Sequence, residues 1–217
     1  MIARVVLVLC LAVALVGCGD TKGDEKAPVR VYFLHDGKVW PVARTIGAGF
    51  DLGDEALRVL QDGPTQAERD LGLTTEVPEN ASGPATDAAR AQVVYTGTQF
   101  ARRAVDIDGK RYTRADFEEQ TPAILVESPL AFQGAKTPLR VTGTANTFEA
   151  TFEYELRDSV GKVVDSNFVT ATSGTGTRGT FDFTAKAADD AATLVVFERS
   201  AKDGSRINEV DIPLEAR

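Results

Sequence analysis

Apolar and polar residues alternate along the second half of the chain, from about residue 124 onward. In TFEYELR, residues 151–157, every second side chain is apolar, which is the pattern of a strand with one face in a core and one in water. Turn-forming residues separate about seven such runs, at 124–127, 138–144, 150–158, 162–171, 179–185, 192–199 and 206–214. Seven short strands over roughly 95 residues predict an immunoglobulin-like β-sandwich.

Two pairs of short apolar runs in the first half of the chain predict β-hairpins. Residues 29–34 and 38–43 flank the turn sequence HDG, and residues 103–107 and 110–113 flank Asp108-Gly109. An Asp-Gly pair favours a tight turn in which both residues have a positive φ. Each pair of runs is therefore expected to fold back on itself.

Apolar residues at helical spacing predict three helices between these hairpins. The first is expected to begin at Asp54 as its N-cap, and the second follows the capping-box sequence TQAE. The helices are expected over residues 55–61, just after 65–68, and from Thr86 or Asp87 to about residue 100.

The order of these elements predicts an α+β chain of two units joined by a linker. A small α/β module is expected over residues 28–114 and the β-sandwich over residues 124–217. Between them lies ADFEEQTPA, residues 115–123, which is acidic and contains Pro122. This composition favours an exposed linker.

The chain begins with an apolar run of 12 residues, 5–16, that follows a single basic residue, Arg4. The run is too short to cross the roughly 30 Å hydrocarbon core of a bilayer and is typical of a secretory signal peptide. It ends in LVGC, which resembles the lipobox of bacterial lipoproteins. The resemblance implies a signal peptide over 1–17 and a lipid such as palmitate on Cys18. The alternatives are an ordinary signal peptide and a short uncleaved anchor. The polar residues 18–27 predict a flexible tether.

Blocks of sequence in both units resemble domains of bacterial spore germination proteins. Residues 124–215 resemble their immunoglobulin-like domain (the Gmad family) in SPLAFQG, LRVTGTANTFEATFEYELRD and FVTATSGTGTRGTFDFT. Residues 28–113 are similar to the sporulation and spore germination (GerMN) domain in VRVYFLHDGKVWPVAR, LRVLQDGPTQAERDLGLTTEVP and AQVVYTGTQF. The resemblances imply extracytoplasmic modules and imply no enzymatic activity.

One segment departs from the GerMN pattern. Members of that family carry an extra strand before the last long helix, whereas here only ENASGPATD, residues 79–87, lies in that place. This segment is too short for a strand and its return. We therefore expect either a sheet that lacks a strand or an exposed sheet edge that a partner could cover.

The charge of the 217-residue chain argues against nucleic acid as a partner, because a formal net charge of -8 repels phosphate backbones. The residue types that most zinc and acid–base sites use are scarce, since they amount to His35, Cys10 and Cys18. Cys10 lies in the expected signal peptide, so no disulfide is expected. No metal or other cofactor is expected either.

Three stretches look like binding motifs but have structural interpretations. His35 lies in a hairpin turn without a second histidine, so a solvated turn residue is expected. DIDG, residues 106–109, starts like a calcium loop but lacks the later ligands. TSGTGTRG, residues 172–179, looks like a phosphate loop but precedes a strand, so a β–β loop is expected, with glycan or peptide contact as the alternative.

Together these features predict a non-enzymatic lipoprotein of the bacterial cell envelope, lipid-anchored through Cys18 at the extracytoplasmic face of the cell membrane. It is expected to mediate protein–protein or cell-wall contacts, and the resemblance suggests sporulation or germination as the setting. The alternative is a peptidoglycan- or wall-polymer-binding accessory to a hydrolase or a sensor kinase. A wall-remodelling enzyme would need convergent catalytic groups, and the sequence singles out none.

Overall fold

The computed structural model describes residues 26–47, 51–79, 83–100, 103–134, 138–186 and 190–215. The predicted signal peptide and both cysteines lie outside these ranges. Within them, a β-hairpin and three helices precede a run of seven strands, which confirms the predicted α+β class. No helix in the described ranges combines the length and the hydropathy that a membrane crossing requires.

The first predicted hairpin is present and longer than expected. Strands β1 (Lys26–His35) and β2 (Lys38–Gly47) pair antiparallel along their whole length. The turn residues Asp36 and Gly37 have φ values of 48° and 73°. Both values are positive, as the tight turn favoured by an Asp-Gly pair requires.

Three helices and a second hairpin complete the N-terminal unit. Helices α1 (Leu52–Asp62) and α3 (Asp87–Gly97) lie against β1, and α2 (Gln66–Asp70) connects α1 to the segment before α3. Strands β3 (Val105–Ile107) and β4 (Lys110–Tyr112) form the short hairpin predicted around Asp-Gly. Helix α3 ends at Gly97, about one turn before the predicted end.

The helix caps show where the sequence prediction was wrong and where it was right. Asp51, not Asp54, caps α1, because its side chain accepts a hydrogen bond from the N–H of Gly53 at 2.8 Å. Asp54 lies in the first turn, where a negative charge still favours the helix dipole. The capping box of α2 is confirmed, since the N–H of Thr65 donates to Glu68 at 2.8 Å and the Thr65 hydroxyl accepts from Glu68 N–H.

The free edge of β1 is covered by side chains of α3 and of Gln99 just after it, which answers the question raised by the short segment 79–87. The N–H of Arg30 donates to Gln99 at 2.8 Å, and the N–H of Tyr32 donates to Thr96 at 3.1 Å. Gln92 in turn donates to the carbonyl of Tyr32 at 3.2 Å. The sheet therefore contains two strands among the described residues, and this edge is not open to a partner.

All seven predicted strands of the C-terminal half are confirmed, and their ends differ from the predicted ones by at most one residue. Their bounds are β5 Ile124–Ser128, β6 Leu139–Ala145, β7 Thr151–Asp158, β8 Val163–Thr170, β9 Gly179–Ala185, β10 Ala191–Arg199 and β11 Arg206–Pro213. One sheet has the order β5-β6-β9 and the other the order β11-β10-β7-β8. Apolar side chains from both sheets form one core, so the half is a β-sandwich.

Backbone and side-chain atoms of β5 and β9 lie very close to β6 at one glycine, Gly143. A Cβ atom added to Gly143 would lie 2.0 Å from the carbonyl oxygen of Leu125 and 2.6 Å from the ring of Phe181. Neither neighbour has room to move, because the first is backbone of β5 and the second is an aromatic ring in the core. Only glycine allows β5 and β9 to pack on both sides of β6 at this point.

We expect Gly143→Ala to lower the free energy of unfolding by about 3 kcal/mol, because the added methyl group overpacks the core. Urea denaturation of the variant and the parent chain measures this difference. Gly47→Ala is the matched control, because a Cβ at that position meets no atom within 4 Å. A Gly143→Ala chain as stable as the control would contradict the predicted clash.

Candidate functional site

One strand supplies side chains to both hydrophobic cores of the molecule. Ile124 and Val126 of β5 point into the sandwich, whereas Leu125 between them belongs to the core of the N-terminal unit. This division follows from the alternation of side chains along a strand. The two units therefore share a buried strand instead of meeting at a flexible hinge.

The segment predicted as a linker, residues 115–123, is folded against the N-terminal unit. Most of it lies in a 3₁₀ helix, Arg114–Gln120, which is interrupted at Phe117. The Phe117 side chain is buried in the N-terminal core. A single aromatic residue in an acidic run was the sequence signal for this packing. Composition alone did not reveal it.

Loop 172–179, which looked like a phosphate loop, holds this connection to the sandwich. Arg178 contacts Glu118 through two hydrogen bonds, from Nε and Nη2, each 2.9 Å long. Its Nη2 also donates to the carbonyl of Pro122 at 2.9 Å. The cationic residue of the loop is thus engaged within the protein, as expected for a structural β–β loop.

A polar cluster at the contact between the units consists of Tyr32, Arg114 and Glu127. The Arg114 guanidinium donates to the Glu127 carboxylate at 2.8 Å and lies over the rings of Tyr32 and Tyr95. The Tyr32 hydroxyl donates to the same carboxylate. Burial and then the charge of Glu127 raise the pKa of Tyr32 well above its usual range.

Charge pairing in this cluster determines the protonation of Glu127. Burial alone would raise the pKa of its carboxyl group, but the nearby Arg114 charge and the Tyr32 hydrogen bond outweigh that effect. The pKa of Glu127 therefore lies below its usual range, and the carboxylate is charged at neutral pH. The charged group ties β5 to the N-terminal unit.

A cleft of about 490 Å³ opens between the first hairpin and strand β11. Its apolar floor comes from both units and from the segment between them, through Val39, Trp40, Leu71, Leu73, Pro122, Ala123 and Val210. Its polar rim is formed by His35, Asp36, Lys38, Asn208, Glu209 and Asp211. The volume falls in the range of small-molecule and peptide sites in proteins.

The aromatic part of the cleft is a pair of rings. The centroids of His35 and Trp40 lie 5.1 Å apart, with a tilt of 48°. Trp40 also packs against both hydrophobic cores, so its position is fixed. His35 lies in the turn region as predicted, but it lines the cleft as well, and its side chain is 38% exposed. Sequence reasoning missed Trp40 as a candidate site residue.

The charge of the cleft is mainly negative. Asp36, Glu209 and Asp211 contribute carboxylates, while the Lys38 ammonium group donates to the backbone carbonyl of Glu119. Partial burial and the neighbouring Glu209 raise the pKa of Asp211 above its usual range. Burial favours the uncharged form of this carboxyl group, and the carboxylate of Glu209, which itself accepts a hydrogen bond from Arg206 at 3.5 Å, adds a repulsive charge.

Other predicted motif residues do not join the cleft. Asp108 and Gly109 form the β3–β4 turn, with φ values of 51° and 77°, as the hairpin interpretation requires. In the ranges that the structure covers, no three residues among His, Cys, Asp and Glu are grouped as a metal site would need. Cys18, the predicted lipid attachment site, lies outside the described residues.

Comparison with known proteins identifies part of the chain. Residues 123–205 match the family model for the immunoglobulin-like domain of bacterial spore germination. The match spans the first strands of the sandwich through β10, less than half of the 217 residues, and it confirms the Gmad resemblance. No curated protein and no solved structure matches the chain.

We expect Glu127→Gln to lower the free energy of unfolding by about 2 kcal/mol at pH 7, because Arg114 and Tyr32 lose a charged partner. The native pKa of Glu127 is lowered, so its contribution is complete above the unfolded pKa and is lost as the pH falls through the native pKa. The difference between the parent and the variant should therefore shrink below a pH of about 4.

Urea midpoints measured from pH 7 to pH 3 test this dependence. Glu119→Gln is the matched control, because that side chain lies exposed on the connecting 3₁₀ helix. A Glu127→Gln difference that stays constant over the whole pH range would show that the charge of Glu127 does not stabilise the contact.

Proposed function

We propose that this protein is a lipid-anchored binding or scaffold lipoprotein at the extracytoplasmic face of the bacterial cell membrane. The observation that carries the proposal is the cleft between two units that are held rigidly together by Leu125 and the Glu127 cluster. A fixed cleft of this size suits recognition of a partner. The proposed role is non-enzymatic, because the sequence singles out no convergent set of catalytic groups.

The proposed anchor rests on the LVGC sequence and Cys18. Each acyl CH₂ group buried in a bilayer contributes about 0.8 kcal/mol, so two or more chains would hold the protein stably. Residues 18–25 separate Cys18 from β1 and can span at most about 28 Å when extended. The start of β1 would therefore lie within about 28 Å of the membrane, whereas the cleft lies at the opposite, turn end of the first hairpin.

The proposed biological setting is sporulation, germination or a related envelope process. The sandwich matches the immunoglobulin-like domain of bacterial spore germination, and this match supports the setting. The GerMN resemblance of residues 28–113 points in the same direction. The partners in this setting would be an envelope protein or, as the second candidate, the cell wall.

The second candidate function is wall-polymer binding as an accessory to a hydrolase or sensor kinase. It is favoured by a hydroxyl-rich surface on the outer face of β6 and β9. Thr142 and Thr144 of β6 line a shallow depression there with Thr180 and Asp182 of β9. Such a surface offers hydrogen-bond donors and acceptors to a glycan.

Cross-linking and sedimentation distinguish the two candidates. In-cell cross-linking followed by mass spectrometry should recover one predominant protein partner if the scaffold function is right. Saturable sedimentation of the purified protein with peptidoglycan, without such a partner, would favour the wall-binding function.

We expect Cys18→Ala to move the protein from the membrane fraction to the soluble fraction and to abolish incorporation of labelled palmitate, because the thiol is the proposed acyl acceptor. Cell fractionation with detergent extraction measures the first effect. Cys10→Ala is the matched control and should leave both unchanged, since Cys10 lies in the proposed signal peptide. A Cys18→Ala chain that stays in the membrane at the parent level would overturn the anchor.

A further inference from the structure

Strand β11 forms an edge of the four-stranded sheet, and part of that edge lines the cleft. The N–H of Leu214 donates to the carbonyl of Ala192 at 2.7 Å, which continues the pairing of β11 with β10. Backbone groups alternate in direction along an antiparallel pair. Val210 and Ile212 therefore direct their N–H and C=O groups toward β10, whereas those of Glu209 and Asp211 point outward.

The outward backbone groups of β11 are covered at one end only. The carbonyl of Pro213 accepts a hydrogen bond from the N–H of Phe132 at 2.8 Å. No backbone hydrogen bond from the rest of the described chain reaches the outward side of Glu209 or Asp211. These two residues thus leave a short section of sheet edge open above the cleft, a feature that proteins otherwise tend to cover.

The shape of β11 at this point is fixed by a buried carboxylate. Asn208 has a positive φ of 53°, and its side-chain amide donates to Glu198 at 2.8 Å. Glu198 also accepts from the N–H of Phe148 at 2.8 Å. The pairing of β10 with β11 shifts here, between Val196 and Glu198. The open section begins directly after this irregularity, so its position is built into the strand.

The side chains around the open edge favour a cation. Asp36, Glu209 and Asp211 lie on the rim, and Trp40 offers an aromatic ring in the floor. A lysine or arginine side chain is attracted both by carboxylates and by the face of a tryptophan ring. Glu209 already lies 3.5 Å from Arg206, and Lys38 donates to a backbone carbonyl, so the attraction for a ligand cation comes mainly from Asp36 and Asp211.

The geometry points to a specific ligand class: the cleft binds an extended, basic segment of a partner protein. The segment adds to β11 as a further strand, pairing with the backbone of Glu209 and Asp211, and it places a lysine or arginine side chain beside Trp40. Strand addition to a sheet edge is a common mode of peptide recognition. The inference rests on the proposed binding function and specifies its ligand.

Trp40 is the only tryptophan of the chain, so its fluorescence reports directly on the cleft. The test uses the full-length chain in detergent solution and three probes: the capped peptides TKVKVT and TEVEVT, and chitotetraose as a glycan. We expect TKVKVT to change the Trp40 emission saturably and to bind at least tenfold more tightly than TEVEVT. Equal affinity for the two peptides, or a saturable response to chitotetraose alone, would overturn the inference.

Two variants at one position separate charge from strand pairing. Asp211→Asn removes the carboxylate but keeps the outward N–H, and we expect it to weaken TKVKVT binding about fivefold. Asp211→Pro removes the N–H as well, at an edge position where proline is tolerated, and should weaken binding at least a further fivefold. Asp106→Asn, an exposed acid in β3, is the control and should bind as the parent does.

Hydrogen exchange gives a second measurement that does not depend on the proline variant folding. The amide of Asp211 in the parent chain should become protected when TKVKVT binds, whereas unchanged exchange at saturation contradicts strand addition. These readouts are independent of the anchor, because Cys18→Ala tests location and leaves the cleft intact. A Cys18→Ala chain that stays in the membrane, together with saturable binding of TKVKVT, would reject the lipoprotein proposal alone. Loss of anchoring in Cys18→Ala, without binding of TKVKVT, would reject the cleft ligand alone.

Discussion

The sharing of β5 between two cores is the constraint on which the rest of the structure depends. Ile124 and Val126 are buried on one side of the strand and Leu125 on the other. The two units therefore could not separate without exposing apolar surface to water. Glu127 lies on the same face of the strand as Leu125. Its carboxylate accepts hydrogen bonds from Arg114 and Tyr32. The strand is therefore the first strand of the sandwich and, through Leu125, also part of the core of the N-terminal unit.

This shared strand determines where the cleft lies and how rigid it is. The hairpin that contributes Trp40 belongs to one unit and β11 belongs to the other, so their separation depends on the contact through β5. Glu118 and Arg178 fasten the connecting segment at a second point. Two attachments at different places resist rotation better than one, and a cleft between units fixed in this way is preorganised for a ligand.

The chain treats its sheet edges in different ways, and the difference points to the site of recognition. The edge of β1 is closed by Gln92 and Thr96 of α3 and by Gln99 just after that helix. Pro41 lies in β2, where it provides no N–H for pairing. At Glu209 and Asp211 of β11, by contrast, the outward backbone stays open beside an apolar floor and negative side chains.

How much of this could be predicted depended on the range of the interactions involved. The seven strands, the Asp-Gly turns and the Thr65 capping box follow from residues a few positions apart, and local patterns revealed them. The cap at Asp51 was missed because α1 begins three residues earlier than its apolar spacing suggested. Leu125 gave no signal at all, since a continuous apolar strand does not show which core each face will meet.

The cleft itself was beyond sequence reasoning because it joins parts of the chain that local patterns cannot relate. Trp40 and Asp211 are 171 positions apart, and they come together only because β5 places the two units side by side. A single tryptophan in a hairpin and two acids in a last strand each have an ordinary interpretation alone. Because they line one cleft at an open sheet edge, they can act together in binding a ligand. Their proximity depends on the contact between the two units through β5, which is made mostly by apolar residues that do not themselves bind a ligand.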